Sequence, residues 1–369
     1  MQVPIIASAR RGVRALLMLM LCTSAVGHAA APAPTNQITL DPMARHYQLG
    51  HGLAFGDSGF RLGGYGVVGI GELDRGDAAP APPARWQSAI EALSGFLWWQ
   101  GESAWRFFSE VAVENVLTAR PGEVTTARDL KPLLERFYVD YAWRDAINFR
   151  LGKFLTPIGR WNLIHAAPLV WTSSRPLITE NTFPGNATGA MAYGALDSPW
   201  GDVEYSLWAS PGAELLRPHD RATFKEAYGA HLTLSPHPAV RLGLSFADFE
   251  LADQQDQRRK LYGVDAQWLY RRFEVSGEFA FRVNRVDLER SDERGGYLQL
   301  VVPLSERWYG ITRYERFDQT GVDRDLNLYV LGLTWRYRAA LAIKGEWSGA
   351  RPNNVGAAQG WRASVAVLF

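Results

Sequence analysis

Cysteine is almost missing from this chain. Of 369 residues one is Cys, at position 22, so a disulfide framework is excluded. Long apolar runs are missing too: no stretch of 18 apolar residues occurs, which excludes a bundle of transmembrane helices. Net charge is nearly absent at +1, leaving no electrostatic case for a nucleic-acid partner. Lysine is scarce, five residues against 34 arginines. The seven histidines never take a metal-binding spacing such as H-E-x-x-H, so no metal and no cofactor are expected. What is abundant is glycine, with 35 residues, and tryptophan, with 14. With 47% apolar and 21% charged residues, the composition is neither disordered nor that of a helical membrane protein. It suits many strands joined by tight turns.

The N-terminus reads as an address. Arg10, Arg11 and Arg14 precede an apolar run from Ala15 to Val26, followed by the small residues Ala29, Ala30 and Ala31. These are the basic, apolar and cleavage regions of a secretory signal peptide over residues 1–31. The run is about a dozen residues long, short of the roughly 20 a retained membrane helix needs. Bulky Leu21 before Cys22 argues against lipoprotein processing. Removing residues 1–31 leaves 36 basic and 38 acidic side chains and no cysteine. Residues 32–58 are expected to form an N-terminal periplasmic segment, and 59–369 a single β domain.

Within 59–369 the dominant signal has period two. Tyr329, Leu331, Leu333, Trp335 and Tyr337 fall on one face of a strand, and Gly332, Thr334 and Arg336 on the other. The same division recurs with Phe273, Val275, Phe279 and Phe281 against Glu274, Ser276, Glu278 and Arg282, and with Trp361, Val365 and Phe369 against Arg362 and Ser364. One face is greasy and ends in rings; the other carries both signs of charge at mid-strand. A membrane barrel with a wet interior has this pattern. About 16 such segments can be placed, between 59–73 and 360–369, each near the nine to eleven residues a tilted membrane strand needs. Tight turns such as Arg144-Asp145, Ser198–Gly201 and Arg271-Arg272 alternate with joins that are mostly longer and polar, as for short periplasmic turns and longer external loops. Trp98, Trp99, Trp105, Trp143, Trp200, Trp268, Trp308 and Trp335 lie near the tight turns and Trp208, Trp347 and Trp361 toward the opposite ends, where interfacial girdles are expected. The fold class expected is all-β: a transmembrane antiparallel β-barrel of about 16 strands, with outer-membrane lipid as its surroundings.

Between the fifth and sixth segments lies a stretch of 33 residues, Leu155 to Ala187, without alternation. It is too apolar to wave in solvent, with Trp161, Leu163, Ile164, Leu169, Val170, Trp171 and Phe183. Folding inward would narrow the lumen. The terminal Phe369 resembles the closing residue of bacterial outer-membrane proteins, which implies the barrel-assembly machinery as a partner. R-L-G-K-F-L-T-P-I-G-R (Arg150 to Arg160), and more loosely T-S-S-R-P (Thr172 to Pro176) and G-F-R-L-G-G-Y (Gly59 to Tyr65), resemble the phosphate-selective porin family. That resemblance implies a 16-stranded barrel, a homotrimer, and a third loop forming the constriction with closely spaced basic residues. Here the loop offers Arg160, His165, Arg175 and Glu180.

A 16-stranded barrel leaves an aqueous channel. The expected function is therefore a porin: passive diffusion of small hydrophilic solutes or ions, with anions such as phosphate favoured by the basic loop residues, and no enzyme activity. Inward charges expected to line it are Arg106, Glu110, Glu114, Arg150, Glu274, Glu278, Arg282, Arg313, Glu315, Arg336, Lys344, Glu346 and Arg362. Seven are basic and six acidic, which points to a transverse field or to paired ladders, not to a filter of one sign. Competing chemistry is thin. Gly56-Asp57-Ser58-Gly59 looks like a protease nucleophile turn but has almost no chain upstream. Asp323, Asp325 and Asn327 lack the Gly and Glu of a calcium loop. Asn186-Ala187-Thr188 matches a glycosylation acceptor. Two alternatives stay open: a receptor or adhesin with a plugged lumen, and a surface lipase-type enzyme, for which His231 would be a candidate.

Overall fold

The computed structural model describes residues 47–74, 86–122, 131–164, 166–212, 214–216, 221–286, 289–318, 325–353 and 356–369. The expected signal peptide lies outside them. Two short strands, β1 (Tyr47–Gln48) and β2 (Gly52–Ala54), form a small hairpin. Sixteen long strands follow: β3 (Phe60–Asp74), β4 (Gln87–Gln100), β5 (Trp105–Ala119), β6 (Lys131–Arg144), β7 (Ile147–Leu155), β8 (Asn186–Ser198), β9 (Gly201–Ser210), β10 (Phe224–His237), β11 (Val240–Leu251), β12 (Gln254–Tyr270), β13 (Phe273–Val286), β14 (Glu289–Pro303), β15 (Trp308–Asp318), β16 (Leu326–Arg338), β17 (Leu341–Arg351) and β18 (Gln359–Leu368). Each pairs antiparallel with its successor, and β18 pairs with β3. The sheet closes on itself as a 16-stranded antiparallel β-barrel, which leaves no long edge unpaired.

The alternation decides which face is which. Phe279, Leu333 and Val365 are 47%, 43% and 38% exposed on the outside, whereas Thr334 and Ser364 are buried inside. So large an apolar exterior is stable only against hydrocarbon. Trp105, Trp143, Trp200, Trp268 and Trp308 are exposed at the tight-turn end. Two tryptophans depart from the expected girdle. Trp208 is buried inside against Phe224, with ring centroids 5.6 Å apart, and Trp98 turns its ring toward Gly63. Both occupy strand positions of the inward parity, which overrides proximity to a strand end.

The tight turns fall where the sequence places them. The opposite joins vary more than expected: β11 and β12 are separated by only Ala252 and Asp253, and β13 and β14 by residues 287–288. These hairpins extend the strands beyond the apolar belt because polar residues keep the ladder going. On the outer face Arg258 pairs with Asp248 and Glu226, and Lys260 lies 3.7 Å from Asp248.

At the seam, the Phe369 N–H donates to Gly64 O and the Gly64 N–H to Phe369 O, both at 2.8 Å. A Cβ at Gly64 would stand 2.0 Å from Ser94 O and 3.0 Å from the Phe369 ring. Only glycine admits that closure. The β1–β2 hairpin pairs with the start of β3, and Gly50 packs toward Ala340 and Leu368.

Candidate functional site

Residues 156–185 join β7 to β8 and fold into the barrel. Their neck is tied first. Thr156 and Gly185 share a backbone bond of 2.9 Å, the Thr156 hydroxyl donates to Pro184 O, and the Asn162 amide donates to both Thr156 O and Gly185 O. Ile158, Trp161, Leu177, Ile178 and Phe183 are then buried. Among its described residues the loop contains only single turns of 3-10 helix at Trp161–Leu163 and Ala167–Leu169 and one short helix, α1 (Leu177–Asn181). Much of its backbone therefore lacks an internal partner, and a buried N–H or C=O must find one elsewhere.

The wall supplies those partners. Carboxylates take the N–H groups: Glu278 Oε1 accepts from the backbone of Arg160 (3.0 Å) and Trp161, Glu346 Oε2 from Ser173 (2.8 Å) and Ser174 (3.3 Å), and Glu315 Oε2 from Leu177 (2.7 Å). Glu274 accepts from the Trp171 indole at 3.0 Å. Cations take the carbonyls. Arg336 donates to Pro168, Leu169 and Val170 O, Lys344 to Ala167 O (2.7 Å) and Thr172 O (3.1 Å), Arg282 to Thr182 O (2.6 Å), and Arg313 to Ser174 O, the Thr172 hydroxyl and Glu315. Gly159, with φ +63°, lies so close to Glu278 that a Cβ would stand 2.3 Å from Oε2.

This corrects the expected lining. Glu274, Glu278, Arg282, Arg313, Glu315, Arg336, Lys344 and Glu346 occupy inward positions on β13, β15, β16 and β17, but the loop covers them. They serve as its sockets, and only Lys344 among them also borders the gap described below. Of the others, Glu110 is fully buried against Ser94 and Arg136, Glu114 pairs with Arg221, Arg150 with Asp140, and Arg362 lies 3.9 Å from Glu91, while Arg106 is half-buried on β5. The three described loop residues are not gathered into one ring. Arg160 turns to Glu274 at 3.8 Å, Glu180 is exposed on α1 beside β15, and His165 lies outside the described residues. Arg175 faces the far wall, where it shares the surroundings of the Tyr65 hydroxyl with Glu110, Glu135 and Arg136. It makes one long contact, 3.5 Å, to Asn162 Oδ1, and its buried Nε has no partner among the described residues.

The far wall, β3 to β8, is built differently. Tyr65, Phe96, Phe108 and Tyr138 form a chain of inward rings with centroids 5.5–5.8 Å apart. Arg136 lies over Phe108 at 4.5 Å and binds Glu110 at 2.6 Å. Arg150 lies over Tyr138 at 3.7 Å and holds Asp140 bidentately at 2.7 and 2.9 Å. Between this wall and the loop is a gap of about 210 Å³ bordered by Tyr65, Glu91, Glu114, Ser173, Lys344 and Ser364. Glu91 and Tyr65 escape a reading of sequence alone. Glu91 sits in a β-bulge between Ile90 and Ala92, where alternation breaks and the expected strand does not reach.

Other candidate motifs resolve as structure. Ser58 closes the turn before β3, donating to Phe55 O at 2.6 Å. Asn186 donates to Glu135 O at 2.6 Å at the root of β8, and Asp325 pairs with Arg316. His231 is buried inside the barrel, its Nδ1 2.8 Å from Ser245 Oγ and its Nε2 3.1 Å from Thr233 Oγ1. Ser245 Oγ also accepts the Gly159 N–H. A serine–histidine contact exists there, but the ring's other nitrogen meets a threonine, not the carboxylate a hydrolase needs, and the loop caps the serine.

No family model and no curated protein matches the chain. Solved structures do share its fold. The anion-selective porin from Comamonas acidovorans superposes with a TM-score of 0.59 at 12% identity, covering 84% of this chain and 99% of that one. Salmonella typhi OmpF in complex with daunomycin gives 0.58 at 9%, covering 86% and 99%. The outer membrane channel DcaP of Acinetobacter baumannii gives 0.55 at 10%, covering 86% and 100%. The chain thus shares the barrel fold of these proteins.

Proposed function

We propose that this chain is an outer-membrane porin, a water-filled channel for passive diffusion of small hydrophilic solutes, constricted by residues 156–185. The observation that carries the reading is the seating of the loop. Wall charges on β13 to β17, with Ser245 on β11 and Ser364 on β18, hold the loop, and a gap of about 210 Å³ remains between it and β3 to β5. A plug would have to bond both walls. In this reading residues 1–31 direct export and are removed, residues 32–58 stay in the periplasm, Phe369 engages the assembly machinery, and three copies associate.

Arg175, on the side of the loop turned toward Tyr65 and Arg136, makes no ion pair among the described residues, which supports a weak preference for anions. Phosphate is one candidate, by the resemblance of Arg150 to Arg160. The test is purified protein in a planar bilayer. Discrete ohmic steps, with a reversal potential shifted modestly toward the anion in a KCl gradient, are expected. A silent membrane would overturn the channel, and ideal cation selectivity would overturn the anion preference.

A further inference from the structure

The gap has two chemically different sides. On one, the Lys344 ammonium uses two of its three donors on Ala167 and Thr172 carbonyls, leaving one for the gap. Beside it the hydroxyls of Ser173 and Ser364 lie 2.7 Å apart, and Ser364 is the cross-strand neighbour of Lys344. On the other side stand Glu91 and Glu114, whose side chains are 33% and 35% exposed. Each has a cation on one oxygen, Arg362 at 3.9 Å from Glu91 and Arg221 on Glu114, and a carboxylate so exposed can accept a further donor. Gly69 makes this possible: a Cβ there would stand 2.2 Å from Glu91 Oε1, so the glutamate lies flat across β3 toward β18. The Lys344 and Glu91 strands are three spacings apart, about 14 Å along the wall, and both side chains reach into the interval. The gap holds on the order of seven waters.

We propose that this gap is a subsite for small zwitterions, of the amino-acid class, which it takes with the carboxylate toward Lys344, Ser173 and Ser364 and the ammonium toward Glu91 and Glu114. The proposal rests on the channel reading and names the solute class of its narrowest part. An anion would meet the two glutamates, and a cation would meet Lys344. A solute carrying both charges satisfies both sides at once, and it loses least of its hydration energy in passing.

Proteoliposome swelling tests it, with β-alanine compared with neutral lactamide and anionic lactate, solutes of similar size. β-Alanine is expected to enter about threefold faster than either, the scale of one exposed ion pair. In an E91Q/E114Q double variant, which leaves every loop anchor in place, that advantage should vanish and lactate entry should rise. Equal rates for the three solutes in the native protein, or an advantage that survives the double variant, would overturn the subsite while leaving the channel. Exclusion of all three would overturn both.

Discussion

Arg175 is held by one contact at 3.5 Å, yet it is the loop cation that looks toward the open wall. Replacing it with alanine should change stability by less than about 0.5 kcal/mol, while the reversal potential in a KCl gradient moves toward cations; an unmoved potential would show that the residue does not face the permeating ions. Arg313 is the opposite case. It is 1% exposed and binds Glu315, Thr172 and Ser174. Arg313→Ala leaves a buried carboxylate uncompensated, a loss of about 3–5 kcal/mol, and should render residues 156–185 sensitive to protease and the current noisy. The sequence shows that both arginines point inward or lie on the loop, but not this difference. Parity assigns a side chain to a face of the sheet; whether water or another segment covers that face depends on where 30 residues without periodicity settle.

The strands themselves are highly legible. Phe273 to Arg282 and Tyr329 to Tyr337 announce their two faces because hydrocarbon and water impose opposite demands on successive residues. Legibility fails at irregularities. The bulge beside Glu91 hides a gap residue, and the β11–β12 hairpin outruns its apolar pattern because ion pairs support a ladder as apolar contacts do. The inward loop is a different kind of element, readable only as too apolar for solvent. Shortening it, by replacing residues 160–183 with a few glycines, should leave the 16 strands paired and raise single-channel conductance by about twofold or more. Conductance that stays unchanged would mean the narrowest point lies elsewhere.

At the scale of the whole barrel, two boundary conditions hold the structure: an apolar exterior and a charged interior bound to a segment of its own chain. Leu333→Arg tests the first. Position 333 lies mid-strand on the outer face, and a cation there should cost about 2–4 kcal/mol in folding into lipid, read from urea titration in vesicles. Gly64→Val tests closure: the added methyls have no room beside Ser94 and Phe369, so the heat-modifiable, compact band on a gel should be lost. The second condition reaches beyond this molecule. Because eight ionisable side chains on β13 to β17 are spent on one insert, seven of them on its backbone, that insert and that half of the cylinder form a matched set. Transplanted into another cylinder of the same size, residues 156–185 would arrive without their moorings. The donor barrel, stripped of them, would be left with a one-sided lattice of stranded charges, so the two parts must change together or not at all.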